Sequence, residues 1–327
     1  MKPMLHKKYK GYFDVGAALE AKNLGKYEEI LKQHFNSITP ENELKFLIVH
    51  PQIAEYNFTD CDKLVEFAYE NNQHIRGHTL IWHNQVPDWL FESTGALSLS
   101  RNEMLRRMEN HIQTIVDRYK DSIYCWDVVN EAIDDGNDFL RNNKWKEIIG
   151  DDYIEKAFYY AYEANPKALF FLNEYNCESG AKGDKTYDLI KQMRIKGVPI
   201  DGIGIQGHYQ VDYPSADSFR VMLEKYSRLG LKIHITELDV SMFSYQDRRV
   251  DLPEPSKEMI EKQIEKYSSL FKVFREYKDS IDSVTLWGVA DDCTWLDSSP
   301  VKERKDWPLL FDQDLNPKEV LYSIINW

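Results

Sequence analysis

The sequence predicts an α/β fold, a (β/α)8 TIM barrel built as a single domain over residues 1–327. Three observations predict it. Short apolar runs alternate with helical patterns along the whole chain, and eight strand candidates of this kind are found. Eight alternating strand–helix units in one chain form a closed parallel barrel more readily than an open sheet. A length of 327 residues suits one barrel-sized domain, and no low-complexity linker or charge block marks an internal boundary.

The strand candidates, in order, are Phe13–Ala18, Ser37–Thr39, Ile75–Leu80, Ile123–Val129, Leu169–Leu172, Gly202–Gln206, Lys232–Leu238 and Ser283–Leu286. Several are apolar on both faces, as strands covered by helices on one side and a barrel core on the other must be. Amphipathic stretches lie between them. Met104, Leu105, Met108, Ile112, Ile115, Val116 and Tyr119 recur at helical spacing. So do Ile154, Ala157, Phe158 and Ala161, and Ile260, Ile264, Tyr267, Leu270, Phe271 and Phe274. The Pro-rich segment Asp251–Pro255 reads as a loop before a helix, and Leu296–Asn316 as a long irregular loop at the rim.

Composition narrows the function. Hydrophobic residues at 43% and charged residues at 29% are those of a folded globular chain. The formal charge of −13 opposes nucleic acid or an anionic membrane as a partner and favours a neutral or cationic ligand. No 18-residue apolar run is present, so nothing is predicted to span a membrane. Eight Trp and 20 Tyr serve either as core filling or as flat surfaces for sugar rings, and composition does not choose between these. Cys61, Cys125, Cys177 and Cys293 form no CxxC and are expected to be buried free thiols. The first residues, MKPMLHKKYKGYFDVG, are basic with no apolar stretch, which reads as the absence of a secretion leader and as a cytoplasmic location.

In such barrels the chemistry sits where strands end and the following loops begin. The second candidate runs into TPENELK, with Glu41, Asn42 and Lys45. The third ends in RGHTLIWHNQ, with His78, Trp82, His83 and Gln85, and the fourth in WDVVNEA, with Asn130 and Glu131. LNEYN supplies Asn173 and Tyr175, IQGH supplies Gln206 and His208, and HITELD supplies Glu237 and Asp239. LWGVADDCTWL supplies Trp287, Asp291 and Trp295. Seven of eight strand ends thus carry polar or aromatic clusters, more than structural roles alone explain.

Glu131 and Glu237 carry most weight, because a carboxylate that ends an apolar strand is costly unless it is paired or used. Taken singly, each reads equally well as half of a structural ion pair. Strands four and seven are expected on opposite sides of the barrel, so that the two glutamates face each other across its mouth. Glycoside hydrolysis needs such a pair, one carboxyl to protonate the leaving oxygen and one to attack or to activate water. Metal is the competing use of this rim. His78 and His83 are five residues apart, which places them on opposite faces of a strand, and no HExxH is present. A catalytic metal is therefore not expected. Gly202, Gly204 and Gly207 do not match GxGxxG, and their position on a strand points to close packing.

TPENELK, RGHTLIWH, WDVVNEA, LNEYN, IQGH, ITELD and WGVADDCTW, in this order from about Gly16 to the C-terminus, resemble the motif set of glycoside hydrolase family 10, the xylanases. The resemblance implies that Glu131 is the general acid/base and Glu237 the nucleophile. It implies that Glu41, Asn42 and Lys45 hold the sugar two units to the non-reducing side of the cut. It implies that His78, Trp82, Asn130, Gln206 and Trp295 wall the subsite beside the cut, with Trp287 beneath it, and that His208 and Asp239 orient the nucleophile. Tyr175 is expected among the substrate-binding residues. No cofactor is implied. Two departures bear on subsite preference: Glu174 stands where the family commonly has Asp, and Leu296 where many members have Arg. The segment VKERKDWPLLFD is similar to that of leaderless members, which implies an enzyme acting on imported xylo-oligosaccharides as well as on soluble xylan.

The implied reaction is a retaining double displacement, with Glu131 protonated when Glu237 is ionised. A hydroxymethyl group would crowd Trp82, Trp287 and Trp295, so xylose is expected rather than glucose. The alternatives are a related barrel β-glycosidase acting on β-glucan or mannan, a non-catalytic carbohydrate-binding barrel, and an unrelated barrel using metal or phosphate. Both glutamates are present, which opposes the second, and the missing metal and phosphate motifs oppose the third. The sequence leaves the oligomeric state open.

Overall fold

A computed structural model of the chain describes residues 4–93 and 99–327. The first three residues of the basic N-terminal segment lie outside the described residues. Among the described residues nine strands form one sheet: β1 (Asp14–Leu19), β2 (Ser37–Pro40), β3 (His74–Gly77), β4 (Ile123–Asn130), β5 (Leu169–Glu174), β6 (Gly202–Ile205), β7 (His208–Gln210), β8 (Lys232–Ser241) and β9 (Ile281–Leu286). All pairings between them are parallel. Neighbours run in order from β6 back to β1, then through β9 to β8, and the β6–β8 pairing closes the ring. Every expected strand is therefore present, and the barrel is of the (β/α)8 type.

The differences from the sequence reading are local. Strand β3 ends at Gly77, short of Leu80, and a cis peptide joins His78 to Thr79. The segment expected as one strand at Gly202–Gln206 is followed by a second short piece, β7. The two are separated at Gln206 and Gly207, where Gly207 takes a left-handed φ of +88° that favours glycine. Strand β7 pairs with the C-terminal extension of β8, His208 opposite Asp239. Strands β4 and β8 are not diametrically opposed. They stand three places apart around the ring, with β5 and β6 between them.

The three helical patterns form helices Arg101–Arg118, Tyr153–Ala164 and Lys257–Glu276. The first and third begin on a serine whose hydroxyl accepts a backbone N–H three residues on, Ser100 from Glu103 and Ser256 from Met259. Their apolar stripes pack on the outside of the barrel in one continuous core, beside a small satellite of Met242, Phe243 and Trp307. Glycines on the strands serve close packing, as expected: a Cβ on Gly77 would overlap the Trp126 ring, and one on Gly204 would overlap the Asn173 side chain. Asp251–Pro255 is a loop before a helix, and between β9 and the helix Glu319–Ile325 the chain is irregular apart from a short 3-10 turn at Trp295–Asp297. Cys61, Cys125 and Cys177 are buried, but Cys293 is exposed, because it lies on this rim loop and not on a strand or helix.

Candidate active site

The C-terminal ends of the strands open into a cleft of about 1230 Å³. All fourteen residues expected at the site line it: Glu41, Asn42, Lys45, His78, Trp82, Asn130, Glu131, Tyr175, Gln206, His208, Glu237, Asp239, Trp287 and Trp295. Parallel strands bring them together by ending at one level, although the motifs are spread over some 250 residues of sequence.

The two glutamates sit in unlike surroundings. Glu237, on β8, is held from two sides. Asn173 Nδ2 donates to its Oε1 at 2.7 Å, and His208 Nε2 donates to its Oε2 at 3.2 Å. Behind the histidine, Nδ1 donates to Asp239 Oδ2 at 2.9 Å, and Trp295 Nε1 donates to the same oxygen at 2.8 Å. Burial alone would lower the His208 pKa, but Asp239 and Glu237 raise it to about 10, so the ring is an imidazolium at neutral pH. Burial alone would likewise raise Glu237, but His78 and His208 hold it below the ordinary carboxylate range. The result is an anion fixed in position.

Glu131 follows β4 and is more open, with its side chain 15% exposed against 6% for Glu237. Gln206 Nε2 donates to Glu131 Oε1 at 3.2 Å and lies 3.3 Å from Asn130 Oδ1. Asn173 Nδ2 also reaches Asn130 Oδ1, at 2.9 Å, so amides link the two carboxyl groups. Thr236 fixes the orientation of that relay by donating to Asn173 Oδ1 at 2.7 Å.

At one end of the cleft Lys45 Nζ donates to Asn42 Oδ1 at 2.8 Å and stands over the Trp82 ring at 5.3 Å. Burial pushes the Glu41 carboxyl up to about 7 against the opposing charge of Lys45. Burial also lowers Lys45, against Glu237, Glu41 and Glu131. Trp287 packs edge-on to His78 and His208, forming the floor between them. Tyr175 stands on the other side, where Arg141 donates to its hydroxyl at 2.7 Å.

Some expectations need correction. His78 and His83 do not lie on opposite faces. The strand stops at Gly77, so alternation no longer applies, and both rings line the same cleft. His78 Nδ1 donates to Asp127 Oδ2 at 2.9 Å, while His83 Nε2 lies 4.0 Å from Glu131 Oε2. Among the described residues no group of three or more His, Cys, Asp and Glu is placed to hold a metal ion. Asp291 is outside the cleft: fully buried, it accepts from Lys318 Nζ and Leu309 N, both at 2.8 Å, and ties the C-terminal segment down.

A protein-family model for glycosyl hydrolase family 10 matches residues 4–327. The chain belongs to glycosyl hydrolase family 10. This family 10 hydrolase is 49% identical over 326 residues to endo-1,4-beta-xylanase A of Caldicellulosiruptor saccharolyticus, covering 99% of this chain and 95% of the relative. It is 47% identical to endo-1,4-beta-xylanase B of Paenibacillus barcinonensis, covering 99% and 98%. The crystal structure of xylanase XynB from Paenibacillus barcinonensis, complexed with a conduramine derivative, superposes with a TM-score of 0.97 at 47% identity, covering 99% of this chain and 98% of that one. A mutant structure in complex with xylotriose superposes at 0.96, with 47% identity and 99% of each chain covered.

In this family 10 hydrolase the two departures fall in different places. Leu296 lines the cleft, next to Trp295. Glu174 does not line it. It is fully buried beneath the rim, accepting from Ile133 N at 2.8 Å with Lys182 Nζ 3.3 Å away. Three contributors were not foreseen. Arg76 and Asp127 form a buried ion pair under His78 and read in the sequence only as interruptions of apolar strands. Arg141 lines the cleft from a loop, where no pattern marks it.

Proposed function

We propose that this family 10 hydrolase is a retaining endo-1,4-β-xylanase that cleaves β-1,4-xylosidic bonds in xylan and xylo-oligosaccharides by double displacement. One observation carries the mechanism: of two carboxyl groups in one cleft, Glu237 is fixed as an anion between Asn173 and His208, while Glu131 stands more open beside the Gln206 amide. Glu237 attacks the anomeric carbon as Glu131 gives its proton to the leaving oxygen. Glu131, now ionised, takes a proton from water, which displaces Glu237 with net retention. Asn130 is placed to bond the sugar 2-hydroxyl. The names of the relatives support the substrate, and the indole walls of Trp82, Trp287 and Trp295 suit a ring without a hydroxymethyl group.

Glu237→Ala tests the reading. Turnover should be abolished. Added azide should enter from the vacated side, displace the aglycone as it takes the Glu131 proton, and give the inverted α-glycosyl azide. Wild-type-like hydrolysis by this variant refutes the assignment, as does an α-anomer as the first product of the unaltered enzyme by proton NMR.

We also propose that the enzyme acts in the cytoplasm on short imported chains. This rests on the similarity of the 301–312 segment to leaderless members and on directed polar groups close to the cut, Glu41, Asn42 and Lys45. Recovery of the native protein in the medium of its source cells would overturn it.

A further inference from the structure

Glu131 occupies a backbone conformation that its own side chain does nothing to favour. Its φ is +59°, in the left-handed region, where a non-glycine residue costs of order 1 kcal/mol or more and persists only if its surroundings impose it. The surroundings are specific. Glu131 N donates to Asn173 O at 2.9 Å. Arg141 Nε donates to Glu131 O at 3.1 Å, and Arg141 Nη2 donates to Ile133 O at 3.3 Å. Arg141 N donates to Ala132 O at 2.8 Å. One arginine therefore grips three successive residues, starting at the glutamate.

Arg141 is gripped in turn. Its Nη2 donates to Asp135 Oδ2 at 2.8 Å and to the Tyr175 hydroxyl at 2.7 Å. Lys182 Nζ donates to Asp135 Oδ1 at 2.8 Å and lies 3.3 Å from Glu174 Oε2. Glu174 Oε1 closes the circuit by accepting from Ile133 N at 2.8 Å. The loop that carries Glu131 is thus held by alternating charges from the 131–141 turn, the end of β5 and the helix Gly180–Ile195. By contrast, the Glu131 side chain accepts from Gln206 alone among the described residues, at 3.2 Å. Its carboxyl is aimed mainly by its main chain.

We infer that Arg141 is a positioning residue for the acid/base glutamate, acting through the Glu131 and Ile133 carbonyls and braced by Asp135, Lys182 and Glu174. The inference rests on the acid/base role proposed for Glu131. Displacement of a catalytic group by about 1 Å costs on the order of 10²-fold in rate. A displaced acid harms only those steps that need its proton or its basicity, whereas a merely structural loss, or a lost sugar contact, harms all substrates alike.

The test uses the full chain and a series of aryl β-xylobiosides of rising leaving-group pKa. Arg141→Ala should lose about 10²-fold in kcat/KM on the poorest leaving groups and little on the best. Its kcat on the best should fall, because water attack now limits. Azide should restore it by displacing Glu237 from the anomeric carbon, giving the retained β-xylobiosyl azide. Arg141→Lys, which keeps the charge but not the forked donors, should fall between, and it decides the matter if the alanine variant does not fold. An equal loss across the series, a change confined to KM, or no response to azide overturns the inference. Glu131→Ala is measured in parallel. If its own profile is flat, the acid/base assignment fails and the inference with it; if its profile is steep and that of Arg141→Ala flat, the inference alone fails.

Discussion

A single protonation often decides what a side chain can do, and two residues here are tuned by their neighbours. His208 is raised to about 10 by Asp239 and Glu237, so its stabilising charge is fully present below its ordinary 6.5 and is lost as pH rises through about 10. Denaturant midpoints measured from pH 6.5 to 10 should therefore fall for the wild type. In His208→Asn the part of that slope due to the ring should vanish; an unchanged slope would show that the imidazolium is not the source. Glu41 is pushed up to about 7 by burial, so it is largely ionised above that pH and largely neutral below it. Hydrogen bonds to charged acceptors are the stronger kind. Glu41→Ala should thus cost about 1–3 kcal/mol in kcat/KM on xylotriose, with a larger loss at pH 8 than at pH 6. No loss at either pH would remove Glu41 from the binding site.

At the scale of elements, the site depends on how closely strands approach. Gly204 on β6 faces Asn173 on β5 in register, and a Cβ there would overlap the Asn173 side chain, which holds Glu237. Gly204→Ala should cost about 1–3 kcal/mol in stability through overpacking. It should also lower kcat, because Asn173 must move. Gly25→Ala, on the exposed face of the helix Leu24–His34 with nothing within 4 Å of the added carbon, is the matched control and should leave both unchanged or raise stability slightly. Full activity in the β6 variant would show that Asn173 is not the constraint. The elements themselves were largely legible, since buried parallel strands read as apolar runs and outer helices as stripes. Strand β7 was not, because three residues beyond a left-handed glycine carry no periodicity of their own. The shared cleft of His78 and His83 was hidden too, because alternation predicts faces only while a strand lasts.

Over the whole molecule, the N-terminal segment is tied to the C-terminal helix on the outside of the barrel. The helix Glu319–Ile325 packs on Lys257–Glu276, and the Tyr9 hydroxyl donates to Ile324 O at 2.5 Å. Ile324 is buried at 1% exposure. Ile324→Ala should cost about 2–5 kcal/mol. The loss should appear as one cooperative transition, with fluorescence and far-UV circular dichroism coinciding. A separate early transition would mean that the C-terminal helix frays by itself.

The sequence by itself determined the barrel, the family and the strand-end residues of the cleft, because each is written in short stretches: apolar runs, stripes, and motifs at strand ends that the parallel architecture must bring to one rim. Only the tertiary structure decided which carboxyl is held and which is open, and that Arg141, Lys182 and Glu174 brace the turn at Glu131. Those outcomes are set by hydrogen bonds and charges between residues far apart in the chain, such as Asn173 and Glu237, 64 positions apart, and Glu131 and Gln206, 75 positions apart. Their strength depends on distance and burial, which have no local signature in the chain.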